Sequence, residues 1–147
     1  MLAVCGLVVI ADQAVKAAIV ASMTPGEHTD LALGFQLTRV TNSGIAFGLF
    51  DEGRDALVLA FTSVALALIL GWFAFDTQRP WLWLGVGLVS GGALGNLADR
   101  IRDGAVTDFL DPPVWPAFNV ADIAITVGVV VIALAALAPA PARASPP

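Results

Sequence analysis

Apolar residues crowd into four stretches of this chain, 1–22, 56–75, 81–98 and 118–138. A helix needs roughly 20 residues to cross a bilayer core, and each stretch is close to that length. A membrane-crossing strand needs about half as many and strict alternation, which these stretches lack. The pattern therefore predicts an all-α membrane protein with four transmembrane helices. The first stretch, "MLAVCGLVVIADQAVKAAIVAS", is expected to stay in place as a helix. It lacks the basic start and the small-residue cleavage box of a signal peptide, and it carries Asp12 and Lys16.

The polar connections are unequal. Residues 76–80, "DTQRP", make a tight turn, whereas 23–55 and 99–117 are long. Four spans place both long connections on one face of the membrane and both termini on the other. Within the first, "GFQLTRVTNSG" alternates in part and is rich in β-branched residues. It predicts a short strand or two at the membrane surface. "FDEGRDAL" begins either a surface helix or the second span. The sequence reads as one domain over 1–138, followed by a Pro/Ala-rich tail, 139–147, expected to be disordered.

Composition strengthens the membrane reading. The chain is 58% hydrophobic and 13% charged, against about 25% charged in soluble domains. A net charge of −5 argues against nucleic acid, whose phosphates demand Lys and Arg. Cys5 is the single cysteine, so no intrachain disulfide forms, and it reads as a small apolar helix residue. Arg39, Arg54, Arg100 and Arg102 fall on the long-connection face; Arg79, Arg143 and the terminal amine fall on the other. Counting positive charges alone would put the long connections in the cytoplasm.

Ionisable groups inside a membrane are expensive and need partners. Asp12 and Lys16 share a helix face and either pair to hold the bundle or snorkel from the helix end. Gly87, Gly91 and Gly95 form a small-residue ridge suited to close helix packing, and Asn96, Asp99 and Arg100 follow it. Asn119, Asp122 and Thr126 make a polar stripe on the fourth helix. Asp122 is either a capping acid at the helix start, where the dipole favours an anion, or a chemical group. Asp103 and Asp111 read as turn acids, whereas Asp108 lies between β-favouring residues and a Phe.

Two carboxylates held close together cannot both ionise easily, so one keeps a proton. The charged member can take a proton from water while the protonated one polarises a carbonyl. Such a pair hydrolyses an amide with no metal or cofactor. His28 is the single histidine, which disfavours a His-based metal site and a Ser-His-Asp arrangement. Acids alone could hold Mg²⁺, but no phosphate-binding Gly-Lys loop accompanies them. Two other classes stay open at this point: a proton-coupled transporter or channel subunit, and a non-catalytic scaffold. The acids cluster at one end and the chain shows no internal repeat, which disfavours transport. A scaffold leaves the acids unexplained.

Five motifs occur in order along the chain: "DQAVK" (12–16), "TNSGIAF" (41–47), "GGALGNLADR" (91–100), "VTDF" (106–109) and "FNVADIAI" (118–125). In these the chain resembles the lipoprotein signal peptidases, the type II bacterial signal peptidases. The resemblance implies a four-helix bundle with a small β-cradle within 23–55 and a surface helix on the outer face. It implies an intramembrane aspartyl endopeptidase that removes the signal peptide from diacylglyceryl-modified prolipoproteins, cutting just before the lipidated cysteine. By the same resemblance Asp108 and Asp122 form the catalytic dyad. Asn42, Gly44, Asn96, Asp99, Arg100 and Asn119 bind substrate or support the site, and Asp12, Lys16, Gly91 and Gly95 are structural.

The family's site faces outward from the bacterial inner membrane with both termini in the cytoplasm, opposite to the charge count. Arg100 lies within a matched motif, so its charge is a poor topology marker. A substrate anchored by two acyl chains stays in the bilayer. The site therefore needs a lateral opening between helices and water held by polar groups. Asp99 and Arg100 are expected to pair and stiffen that surround. A prolipoprotein and membrane lipid are the expected partners of a monomer.

Overall fold

The computed structural model describes residues 1–42, 54–75 and 79–138, and the side chains of all of these except 54–59 and 61. Among the described residues there are four α-helices: α1 (Leu2–Ser22), α2 (Arg54–Phe75), α3 (Leu82–Asp103) and α4 (Val120–Leu137). The described residues also form three short strands: β1 (His28–Asp30), β2 (Gln36–Asn42) and β3 (Val106–Asp111). By length and apolarity, α1 and α4 can each cross a membrane.

The helices stop where the backbone requires it. Gly104, with φ 76°, occupies the left-handed position after α3, a conformation that costs a residue with a Cβ more than glycine. Arg79 donates from its guanidinium to the carbonyls of Ala135, Ala136 and Ala138 at 2.9–3.3 Å. Arg39 does the same for Val20 and Met23, at 3.3 and 2.8 Å. Each cation thereby meets the otherwise unpaired carbonyls and the negative dipole end of a helix C-terminus.

Helix α3 is the centre of the bundle. The Gly87 and Gly91 ridge faces α1, where an added Cβ would lie 2.9 Å from Met1 O and 2.8 Å from Cys5 O. Another face of α3 meets α4: a Cβ on Gly85 would lie 2.9 Å from Gly128 O, and one on Gly92 would collide with Ala121 O. Helix α3 is thus gripped on two sides by backbone-to-backbone contact, which small residues alone permit. Towards the end of the bundle that holds the α2–α3 connection, Leu82, Val86 and Ala135 form an apolar core. Ile69, Trp72, Phe73 and Ile132 pack against it.

The opposite end carries the sheet, in the order β1-β2-β3 with both pairings antiparallel. A register irregularity lies between Leu37 and Val40 of β2. Phe109 packs with Ile19 and Met23, seating the sheet on the end of α1. Both long connections therefore meet in one sheet at one end of the bundle. The cradle expected within 23–55 takes its third strand from the α3–α4 connection instead. That strand is β3, so Asp108 and Asp111 are strand residues, and Asp111 pairs with Gln36 rather than forming a turn. Asp99, Arg100 and Asp103 belong to α3, which runs past the expected end at 98. "FDEGRDAL" lies partly outside the described residues; from Arg54 onward it is the first turn of α2. The tail 139–147 also lies outside them.

Close packing at Gly92 yields a direct test. Gly92→Ala forces α3 from α4 and is expected to destabilise the protein by about 1–3 kcal/mol. Gly6, also in a helix, has nothing within 4 Å of an added Cβ. Gly6→Ala should be neutral, or stabilising by about 0.5–1 kcal/mol through helix propensity. Thermal unfolding of the two variants in nanodiscs checks this; equal melting temperatures would contradict the packing.

Candidate active site

Helix α4 starts at Asn119, whose side-chain oxygen accepts from Asp122 N at 3.0 Å. Asp122 reciprocates by accepting from Asn119 N at 3.2 Å. This is a capping box, so Asp122 does serve as a helix-start acid. Its other oxygen, Oδ1, accepts from Asn96 Nδ2 at 2.8 Å. The capping reading of Asp122 therefore holds: Oδ2 closes the helix start, while Oδ1 is turned to Asn96.

Asp108 arrives from β3. Its Oδ1 accepts from Asn119 Nδ2 at 2.7 Å and its Oδ2 from Asn42 Nδ2 at 2.8 Å. A short return brings its strand back to α4, closed by the paired Leu110 and Phe118. Asn119 thus bonds both carboxylates, donating its amide NH₂ to Asp108 and its backbone N–H to Asp122, while its side-chain oxygen accepts from the Asp122 backbone N–H. Asn119 Nδ2 also donates to Asn96 Oδ1 at 3.1 Å. Asp108 is 2% exposed and Asn119 fully buried. Burial pushes the Asp108 carboxyl up to about 6. The Asn42 bond opposes that rise, the nearby Asp122 charge adds to it, and Asn119 and Lys16 oppose it.

Beneath this pair lies a buried ionic hub. Lys16 Nζ meets Asp12 Oδ2 and Asp99 Oδ2 at 2.8 Å each and donates to Asn96 Oδ1 at 2.9 Å. Asp12 also accepts from Ala121 N at 2.9 Å. The absent side chain of Gly95 leaves the room that Asp12 fills, since a Cβ there would lie 2.7 Å from Asp12 Oδ2. Asp12 and Lys16 do pair, as the sequence allowed, but Lys16 is 3% exposed and does not snorkel.

The expected Asp99–Arg100 pair does not form among the described residues. Asp99 bonds Lys16 and, more loosely at 3.5 Å, Arg102. Arg100 donates instead to Asn96 O at 3.3 Å. Asp99 is buried against α1, where Lys16 takes its Oδ2 and Gln13 its Oδ1. Gly44 lies outside the described residues.

Sequence reading assigned no site role to Gln13, which lies within "DQAVK", or to Arg102, which entered only the charge count. Gln13 donates to Asp99 Oδ1 at 2.7 Å and to Gly95 O at 3.2 Å. Arg102 donates to Gln13 Oε1 at 3.2 Å. An amide beside Asp12 in an apolar helix was the available signal, because a polar group there needs a partner.

Half-buried Asp122 also opens on a groove of about 310 Å³, walled by Trp115, Phe118, Ile123, Thr126 and Val127. A larger cavity of about 570 Å³ lies between α1, β2 and the end of α3. It borders Lys16 but touches neither Asp108 nor Asp122. The smaller groove is the one that reaches a carboxylate of the pair.

A mostly helical bundle with a small sheet over its polar end is the architecture of a membrane enzyme. A solved bacterial membrane enzyme superposes with a TM-score of 0.83 and 31% identity, over 91% of this chain and 90% of that one. The signal peptidase (SPase) II family profile matches residues 4–138, and the chain belongs to that family of membrane proteases. It is 43% identical to the lipoprotein signal peptidase of Pelotomaculum thermopropionicum, across 89% of this chain and 87% of that protein. It is 41% identical to that of Moorella thermoacetica, across 91% and 90%.

Asp108 generates a pH prediction. Its folded-state value of about 6 lies above the ordinary 3.8, so between these pH values the folded protein holds a proton that the unfolded chain releases. The group's contribution to stability is largest below the lower value and falls as pH rises through the window. The melting temperature of the wild type relative to Asp108→Asn should therefore rise between about pH 7 and pH 5. A wild-type-minus-variant difference that stays flat, or falls towards acid, would refute the raised value.

Proposed function

We propose that this protein is an intramembrane aspartyl endopeptidase that removes the signal peptide from diacylglyceryl-modified prolipoproteins, cutting just before the lipidated cysteine. The observation that carries the reading is the pair Asp108 and Asp122. They come from a strand and a helix, are bridged by Asn119, and are oriented by Asn42 and Asn96. The relatives named for lipoprotein signal peptidase activity support the substrate class.

The chemistry needs one proton shared by the pair. The ionised carboxylate takes a proton from water as the water oxygen bonds to the scissile carbonyl carbon. The protonated carboxyl delivers its proton to the carbonyl oxygen, which gives a neutral gem-diol. In collapse the C–N bond breaks, the amine leaves with the proton taken from water, and the other carboxylate recovers its own. Raised proton affinity at Asp108 suits a pair that holds one proton between two acids. The bridging asparagines hold both groups before substrate arrives, which lowers the cost of organising them in the transition state.

The groove at Asp122 supports an approach from the bilayer, because its Ile123 and Val127 walls lie on the exposed apolar face of α4. In this reading all four helices cross the bacterial inner membrane, both termini are cytoplasmic, and the sheet lies at the outer surface. Residues 1–138 act as one peptidase domain, and 139–147 as a tail. The enzyme works as a monomer on prolipoprotein in lipid, without nucleic acid.

Purified protein and a diacylglyceryl prolipopeptide test this. Asp108→Asn and Asp122→Asn are each expected to lower cleavage by about 10³-fold or more while the protein stays folded. Asp111→Asn, at the far end of β3, should cleave like the wild type. Retained cleavage in either dyad variant removes that residue from the pair, and a dead Asp111 variant means the wrong acid was assigned.

A further inference from the structure

The ends of an asparagine amide look alike in shape, and its hydrogen-bonding partners decide which end is oxygen. At Asn96 the decision is made by a charge. Lys16 Nζ donates to Oδ1 at 2.9 Å, and Asn119 Nδ2 approaches the same oxygen at 3.1 Å. The other end, Nδ2, then points at Asp122 Oδ1 at 2.8 Å. Turning this amide over would set NH₂ against an ammonium and a second NH₂, and would set oxygen against a carboxylate. All three contacts would become repulsive together.

We propose that Lys16 is a positioning residue for the two site carboxylates: its charge locks the Asn96 amide so that donors are delivered to Asp122 and, through Asn119, to Asp108. This rests on the reading of Asp108 and Asp122 as the reacting pair. Lys16 can do this because its three protons have three acceptors, Asp12, Asp99 and Asn96. Asp12 and Asp99 hold the ammonium in place and Asn96 receives the remaining proton. Their geometry is held in turn by Ala121 N on Asp12 and by Gln13 on Asp99. The charged groups facing this centre among the described residues are Asp12 on α1, Asp99, Arg100 and Arg102 on α3, Asp108 on β3 and Asp122 on α4, with Arg100 donating to the Asn96 backbone carbonyl. The link thus runs from a buried cation on α1, through one amide on α3 and one at the start of α4, to both acids. Lys16 touches neither carboxylate of the pair in the contacts seen here.

The test uses two charge-conserving pairs in nanodiscs, Lys16→Met with Asp12→Asn and Lys16→Met with Asp99→Asn. Each removes one positive and one negative charge and so avoids leaving an extra buried anion. Infrared bands of Asp108 and Asp122, assigned by their loss in Asp108→Asn and Asp122→Asn, are followed against pH in the resting protein. Kcat and KM are measured on a diacylglyceryl prolipopeptide, with folding checked by circular dichroism. Either folded pair should give the Asp122 band seen in Asn96→Leu and move the Asp108 midpoint to higher pH by about one pH unit. It should also lower kcat about tenfold or more with KM within about twofold. Lys16→Arg, which keeps the charge, should keep the wild-type bands.

A folded pair with wild-type bands overturns the proposal even if its melting temperature or turnover falls, since that is a purely structural role. Displaced bands in Lys16→Arg overturn it too, and that variant decides the matter if neither pair folds. If Asp108→Asn still cleaves substrate, the proposed peptidase pair fails. The infrared bands then still decide whether Lys16 orients the two carboxylates.

Discussion

A single buried ammonium organises this protein. Lys16 sits 3% exposed in a bundle made largely of apolar helices, where an unpaired charge would cost several kcal/mol. It is tolerated because three acceptors from α1 and α3 meet its three protons. That requirement draws α3 against α1 at one level of the bundle. The acceptor Asn96 then extends the network to the start of α4 and, by way of Asn119, to β3.

The apolar architecture serves that network. Asp12 fits because Gly95 has no side chain, and α4 approaches closely because Gly85, Gly92 and Gly128 let backbones touch. With little hydrophobic drive between helices in lipid, such close contact and interhelical hydrogen bonds hold the bundle. The network also explains how groups from both long connections converge. Asn42 ends β2, Asp108 lies in β3, and their strands pair antiparallel, so the sheet delivers a donor and an acid to the same point.

Much of this was legible in the chain. Apolar run lengths foretold the four helices, and the β-branched alternation foretold β2. Polar residues in apolar surroundings marked Asp12, Lys16, Asn96 and Asn119 as groups needing partners, and each has them. The misreadings share one cause. The third strand, the Asp111 turn and the Asp99–Arg100 pair were judged from neighbours in sequence, whereas each is decided by a partner more than five residues away. Asp111 is held by Gln36 and Asp99 by Lys16.

By itself, the sequence determined that this is a membrane protein with acids gathered at one end of its helices. Hydropathy and the cost of intramembrane charge are properties of single residues and short runs. Only the tertiary structure decided which acids share an asparagine bridge, which are spent on Lys16, and which oxygen of Asp122 caps its helix. Those outcomes depend on distances of about 3 Å between residues up to about a hundred positions apart, and no local pattern encodes them.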